Sequence, residues 1–154
     1  FSIFLFTKKN NLEFFLLADF VSLVAPIGLF FGRLANFINV ELIGKVTEFP
    51  IAIIYPTIDN LPRHPSQLYE AFFEGIILFL IINYFNRHKQ LGFNSGLYVF
   101  GYGFFRFFIE YFRQPDNHLG FIILNLSMGQ LLCITMMIGG IIIWRVGYNI
   151  ESKN

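Results

Sequence analysis

The sequence is short of the residues that a soluble or covalently stapled protein needs. Its single cysteine, Cys133, excludes a disulfide framework and any multi-cysteine metal site. Charged residues make up 14% of the 154, against roughly a quarter in soluble domains, too few to cover a soluble globule. The formal net charge of +1 leaves no basic patch large enough to bind nucleic acid electrostatically. Three histidines without clustering argue against a metal site. There is no internal repeat and no low-complexity tract. What is abundant is apolar: 55% of the residues are hydrophobic and 22 are Phe. This is the composition of an integral membrane protein.

Four stretches are long enough to cross a bilayer, which takes about 20 mostly apolar residues. They run over about 14–37, 65–85, 96–112 and 127–144. Together they predict an all-α polytopic helix bundle in a single membrane domain. The fourth stretch carries no charge and is the clearest. The run FSIFLF starts at Phe1 without Met and is too short to span. It reads as the stump of an earlier helix, so the chain is expected to be a C-terminal fragment. Nothing basic precedes the run and no small-residue cleavage site follows, so it is not read as a signal peptide. Pro65 suits a helix start, and Ser127 with Gln130 makes a capping-box pattern. Lys8, Lys9, Arg87, Lys89, Arg145 and Lys153 fall on one side, against Lys45, Arg63 and Arg113 on the other. The positive-inside rule then puts the C-terminus in the cytoplasm and the 39–64 loop outside.

Ionisable residues inside a span cost about 2.5–3.5 kcal/mol each on insertion scales and usually face a bundle interior or a wet cavity. Tyr98, Tyr102, Arg106, Glu110 and Arg113 fall on one helical stripe roughly 80° wide. Phe104, Phe107, Phe108 and Phe112 lie mostly off it, free to meet lipid. The plain alternative is an Arg106–Glu110 ion pair holding helices together. Gln67, Glu70 and Glu74 form a second stripe near the outer interface, where a solvated helix end is the competing reading. In the 32–39 stretch, Arg33 and Asn36 are one turn apart and can reach the same group. Two arginines at similar depth, with amide and phenol donors nearby, suit a phosphodiester, because each guanidinium offers a planar fork of donors. In a membrane that phosphodiester is a phospholipid headgroup; a structural polar network is the rival. Cys133 reads as a buried thiol. His64 is a proton shuttle, a headgroup contact or a polar helix entry, and His88 and His118 carry no assigned role.

The run Gly32-Arg33-Leu34-Ala35-Asn36-Phe37-Ile38-Asn39, followed by Glu41-Leu42-Ile43-Gly44-Lys45, resembles the signature of the prolipoprotein diacylglyceryl transferase family. Arg63-His64-Pro65-Ser66-Gln67-Leu68-Tyr69-Glu70 resembles a second block. Gly101-Tyr102-Gly103 through Arg106, Glu110 and Phe112-Arg113-Gln114-Pro115-Asp116 resembles a third, and Ser127-Met128-Gly129-Gln130 the last. The blocks occur in family order. Val40 departs from the family's usual Gly, and Ala35 stands where Gly is common.

The resemblance implies a seven-span enzyme of the bacterial inner membrane. It would move diacylglyceryl from phosphatidylglycerol to the lipobox cysteine of a prolipoprotein signal peptide, the first step of lipoprotein maturation, with no cofactor and with membrane lipid as its surroundings. By the same resemblance Arg33 and Arg106 bind the headgroup phosphate and stabilise its departing charge. Asn36, Glu41 and Gly44 line the substrate side, Tyr102 stands beside Arg106, Glu110 orients that arginine, and His64 belongs to the substrate-binding set. The substrate thiol needs a base. The family's earlier spans, with a His-Gly-Gly-type block proposed to supply it, have no match here. The rival class is a non-enzymatic membrane subunit or a transporter with buried charges along a cavity, which should show repeats.

Overall fold

The computed structural model describes residues 2–86, 90–114, 121–123 and 126–152. Arg87, His88, Lys89, Pro115, Asp116, His118 and Lys153 lie outside the described residues. The architecture is helical: α1 (Ser2–Asn10), α2 (Phe14–Ile38), α3 (Ser66–Phe85), α4 (Phe93–Ile109) and α5 (Met128–Glu151). Two short antiparallel pairs interrupt the loops, which the sequence did not suggest. One joins β1 (Ile53–Ile54) to β2 (Pro62–Arg63), and the other joins β3 (Phe121–Ile123) to β4 (Leu126–Ser127).

Three helices, α2, α3 and α5, are long and apolar enough to cross a membrane by length and composition. The third expected span is shifted. Helix α4 stops at Ile109, and Tyr111 N and Phe112 N then bond back three residues to Phe108 O and Ile109 O. This tight turn hands the chain to the loop, where Lys45 N bonds to Phe112 O and Arg113 bridges to Gly44. Arg113 is therefore off the helical stripe on which spacing had placed it. At 17 residues α4 is roughly 25 Å long at 1.5 Å per residue, and it packs along α5 where Gly96 and Gly140 let the two backbones meet.

The helix ends are written locally. Helix α5 opens with the expected capping box: Ser127 Oγ accepts from Gln130 N, and Gln130 Oε1 accepts from Ser127 N. Helix α2 closes in a Schellman motif, with Glu41 N bonded to Asn36 O and Val40 N to Phe37 O. Val40 occupies the left-handed position of that motif, at φ 58°. Glycine is the usual occupant there, and a side chain costs roughly 1–2 kcal/mol. The departure noted in the sequence thus falls on a strained residue. Helix α4 has no local side-chain cap; Asp19 of α2 supplies one across the interface, accepting from Gly92 N, Ser95 N and Ser95 Oγ at 2.8, 2.8 and 2.6 Å.

Within α3, residues Ala71–Ile77 widen into a π-helical stretch, a geometry that is rare and concentrates at functional sites. The interior mixes apolar Leu78 and Ile82 with polar Gln67, Glu70 and Glu74, all fully buried, while Phe20, Phe31, Leu132 and Ile142 stand exposed on the outer faces. Apolar surfaces around a polar interior are what a bilayer solvent selects.

Candidate functional site: an arginine–glutamate network between three helices

Helices α2, α3 and α4 each bring charge to one point. Arg33 Nε of α2 lies 2.8 Å from Glu70 Oε2 of α3, and Arg33 Nη2 donates to Glu74 Oε2 at 3.4 Å. Arg106 of α4 reaches the same Glu70 from the other side, Nη1 to Oε1 at 2.5 Å, with Glu74 Oε1 at 3.7 Å. Its Nη2 lies 3.2 Å from Glu110 Oε2, one turn along. Glu70 is thus the shared anchor of both arginines. The two glutamates of α3 are wholly inaccessible, and the two guanidinium-bearing side chains keep 15% and 12% exposure. That small opening decides what the site can do, since a ligand can touch the arginines but not the glutamates behind them.

The contacts are ion pairs more than aligned hydrogen bonds. Arg33 Nε and Arg106 Nη1 are buried without a hydrogen-bond acceptor in line, as are both Glu70 oxygens. Three carboxylates, Glu70, Glu74 and Glu110, thus face two guanidinium groups. Removing one partner would leave an unpaired charge in low dielectric, at a cost of about 3–5 kcal/mol.

The structure therefore brings together Arg33, Arg106 and Glu110, as the sequence suggested, and adds Glu70 and Glu74. Of the two readings of the α3 stripe, it removes the solvated helix end. Those carboxylates look inward, and the signal was their four-residue spacing opposite an arginine-bearing helix. Tyr102 is half-buried one turn from Arg106 and stacks on Tyr98 with ring centroids 6.4 Å apart. Asn36 is half-buried, and its side-chain amide has no partner among the described residues; it and Arg33 share no group. Glu41 is exposed, and its carbonyl accepts from the buried Gln67 amide, which also holds Tyr55. Gly44 is buried: a Cβ there would run into His64 O and lie 2.9 Å from Phe112 O. It allows the loop to close on α3 and α4.

Arg63 locks that loop. Its guanidinium contacts Asp59 at 2.6 Å, Gly44 O at 3.1 Å and Gln114 Oε1 at 2.7 Å. The pair holds the Asp59 carboxyl below its usual range. His64 follows Arg63 in the loop, with Nδ1 3.2 Å from the Tyr69 hydroxyl and its ring against Phe49 and Phe112. Burial, then the nearby Lys45 charge, push its pKa below the ordinary value and favour the neutral ring. Cys133 is buried, as expected. Among the described residues no group of three potential ligands could hold a metal ion.

Comparison with known proteins identifies the family. The family model for prolipoprotein diacylglyceryl transferase matches residues 1–146. The chain is 52% identical to the phosphatidylglycerol–prolipoprotein diacylglyceryl transferase of Aliivibrio fischeri (strain ATCC 700601 / ES114), over 92% of this chain and 52% of that protein. It is 52% identical to the Rickettsia typhi (strain ATCC VR-144 / Wilmington) protein of that name over 90% of this chain and 55% of the relative, and 50% identical to that of Rickettsia africae (strain ESF-5) over 98% and 58%. The chain spans about half the length of the curated relatives it matches. With the family model covering nearly all of it, the chain belongs to the prolipoprotein diacylglyceryl transferase family.

Proposed function

We propose that this chain forms the phospholipid-handling part of a phosphatidylglycerol–prolipoprotein diacylglyceryl transferase, in a bacterial inner membrane with its C-terminus in the cytoplasm. In that reaction the diacylglyceryl group of phosphatidylglycerol passes to the thiol of the lipobox cysteine in a prolipoprotein signal peptide. A C–S bond forms, the C–O bond to phosphate breaks, the thiol proton goes to a base, and glycerol phosphate leaves. The observation that carries the reading is the pair of arginines held on Glu70, each with its side chain slightly open. A phosphodiester meeting that opening finds two forks of N–H groups in a low-dielectric site. Its leaving group gains negative charge as the bond breaks, and preorganised donors stabilise that change. Glu70, Glu74 and Glu110 keep the guanidinium groups in place. Tyr102 and Asn36 offer a phenol and an amide near them, and Glu41, Gly44 and His64 shape the loop side.

Lysine tests the fork. Arg33→Lys and Arg106→Lys keep the charge but not the bidentate donors. In a full-length chimaera, with this chain replacing the matching part of the Aliivibrio fischeri relative, each is expected to lower diacylglyceryl transfer by two to three orders of magnitude, about the loss for one donor at developing charge. Near-normal turnover in both variants, with unchanged melting, would remove the phosphate role and leave a structural ion network.

A further inference from the structure

Glu110 belongs to two local structures at once. Its Oε2 faces Arg106 Nη2 at 3.2 Å, while its Oε1 accepts from Ser127 Oγ at 3.4 Å. Ser127 is the N-cap of α5, and its hydroxyl oxygen already accepts from Gln130 N at 3.2 Å, so its proton is free for Glu110. The first turn of α5 then sets Gly129 directly against the carboxylate. A Cβ at Gly129 would lie 2.6 Å from Glu110 Oε1, 2.9 Å from Cδ and 3.3 Å from Oε2. The positive end of the helix faces the same carboxylate.

We propose that Gly129 is a positioning residue: the bare first turn of α5 is a seat that fixes the Glu110 carboxylate and, through it, the aim of the Arg106 guanidinium. The inference rests on reading Arg106 as a phosphate-binding group. The chemistry separates this glycine from an ordinary packing glycine. The three nearest atoms that a Cβ at Gly129 would meet all belong to the Glu110 carboxyl group, the far end of a flexible side chain. Alanine would push Glu110 aside and leave α5 where it is, and alanine is the better helix former. Stability and turnover should therefore move in opposite directions. A displacement of about 1 Å in a positioned group can cost roughly 100-fold in rate.

The test uses the same full-length chimaera. Gly129→Ala is expected to lower transfer tenfold or more, with melting unchanged or raised. Gly129→Ala combined with Glu110→Asp, which shortens the side chain by one methylene, is expected to recover part of the loss. Normal turnover in G129A, or a loss that follows lowered melting and is not relieved by E110D, overturns the proposal. A readout independent of turnover separates it from the functional reading. Glu110→Gln should lower the melting temperature more in the parent than in the G129A background, because the seat is already lost there. Equal shifts in both backgrounds would sink the seat even if transfer were never detected. An inactive parent with unequal shifts would leave the seat standing and count against the transferase reading.

Discussion

His64 shows how one side chain carries both loop closure and a pH signature. Its ring sits among Phe49, Tyr69 and Phe112, and Nδ1 meets the Tyr69 hydroxyl. Protonation would make both ring nitrogens donors and place a cation beside Lys45 in an aromatic enclosure. The folded-state pKa is accordingly depressed below 6.5, by burial first and Lys45 second. A histidine depressed on folding contributes stability that is complete above its unfolded pKa and is lost as pH falls through the lower folded value. Melting in detergent should therefore decline on acidification from about pH 7 to 5, and His64→Gln should flatten that part of the curve. A parent curve as flat as that of the variant would show that the ring titrates without cost. The arginines were legible at this scale because a charge within an apolar run demands an explanation. Glu70 and Glu74 were not. The sequence gives the angle at which a residue leaves its helix, but not the neighbour it meets, and so the Glu70–Glu74 stripe stayed open between an interior face and a solvated helix end.

At the level of elements, the two helices that carry the arginines are tied at the end opposite the network. Asp19 of α2 replaces the side-chain cap that Gly92, at φ 76°, cannot provide for α4. It accepts three hydrogen bonds, two of them from backbone N–H groups of the first turn. Asp19→Ala would leave those donors unpaired and should destabilise the chain by about 1–2 kcal/mol, the usual range for a lost N-cap. Asp19→Asn keeps one acceptor oxygen and should lose less. Equilibrium unfolding in mixed micelles measures both, and an alanine variant as stable as the parent would show that water caps α4 instead. Sequence patterning placed the starts of α2, α3 and α5 close to where they fall, since long apolar runs and the Ser127–Gln130 box mark them, whereas α5 runs on past the expected end at about 144 to Glu151. It placed the third span three residues late, since Glu110, Tyr111 and Phe112 continue the helical pattern while the backbone turns toward Lys45. The Asp19 cap joins residues 73 and 76 positions apart, a pairing that no local pattern announces.

For the molecule as a whole, the described contacts sort the loops into two ends. Leu91 N bonds to Glu151 Oε2, and Gly92 N to Asp19, which gathers the start of α2, the start of α4 and the end of α5. At the other end, Lys45 N reaches Phe112 O, Arg63 reaches Gln114, and the α5 cap meets Glu110. Lys8 and Lys9 in the last turn of α1, and Arg145 in α5, belong to the first end. The sequence-based orientation takes this first end as the cytoplasmic one. On that orientation, and on the proposed function, the arginine network is expected to open in the half of the membrane away from the cytoplasm, where a secreted substrate would present its thiol. Single cysteines at the exposed positions Asn60 and Ser152 report the two ends, and the native Cys133, at 2% exposure, stays silent. In intact cells an impermeant maleimide should label Asn60→Cys, whereas Ser152→Cys should react only after the membrane is opened. The reverse pattern would turn the network toward the cytoplasm and separate the phosphate-binding arginines from a translocated thiol.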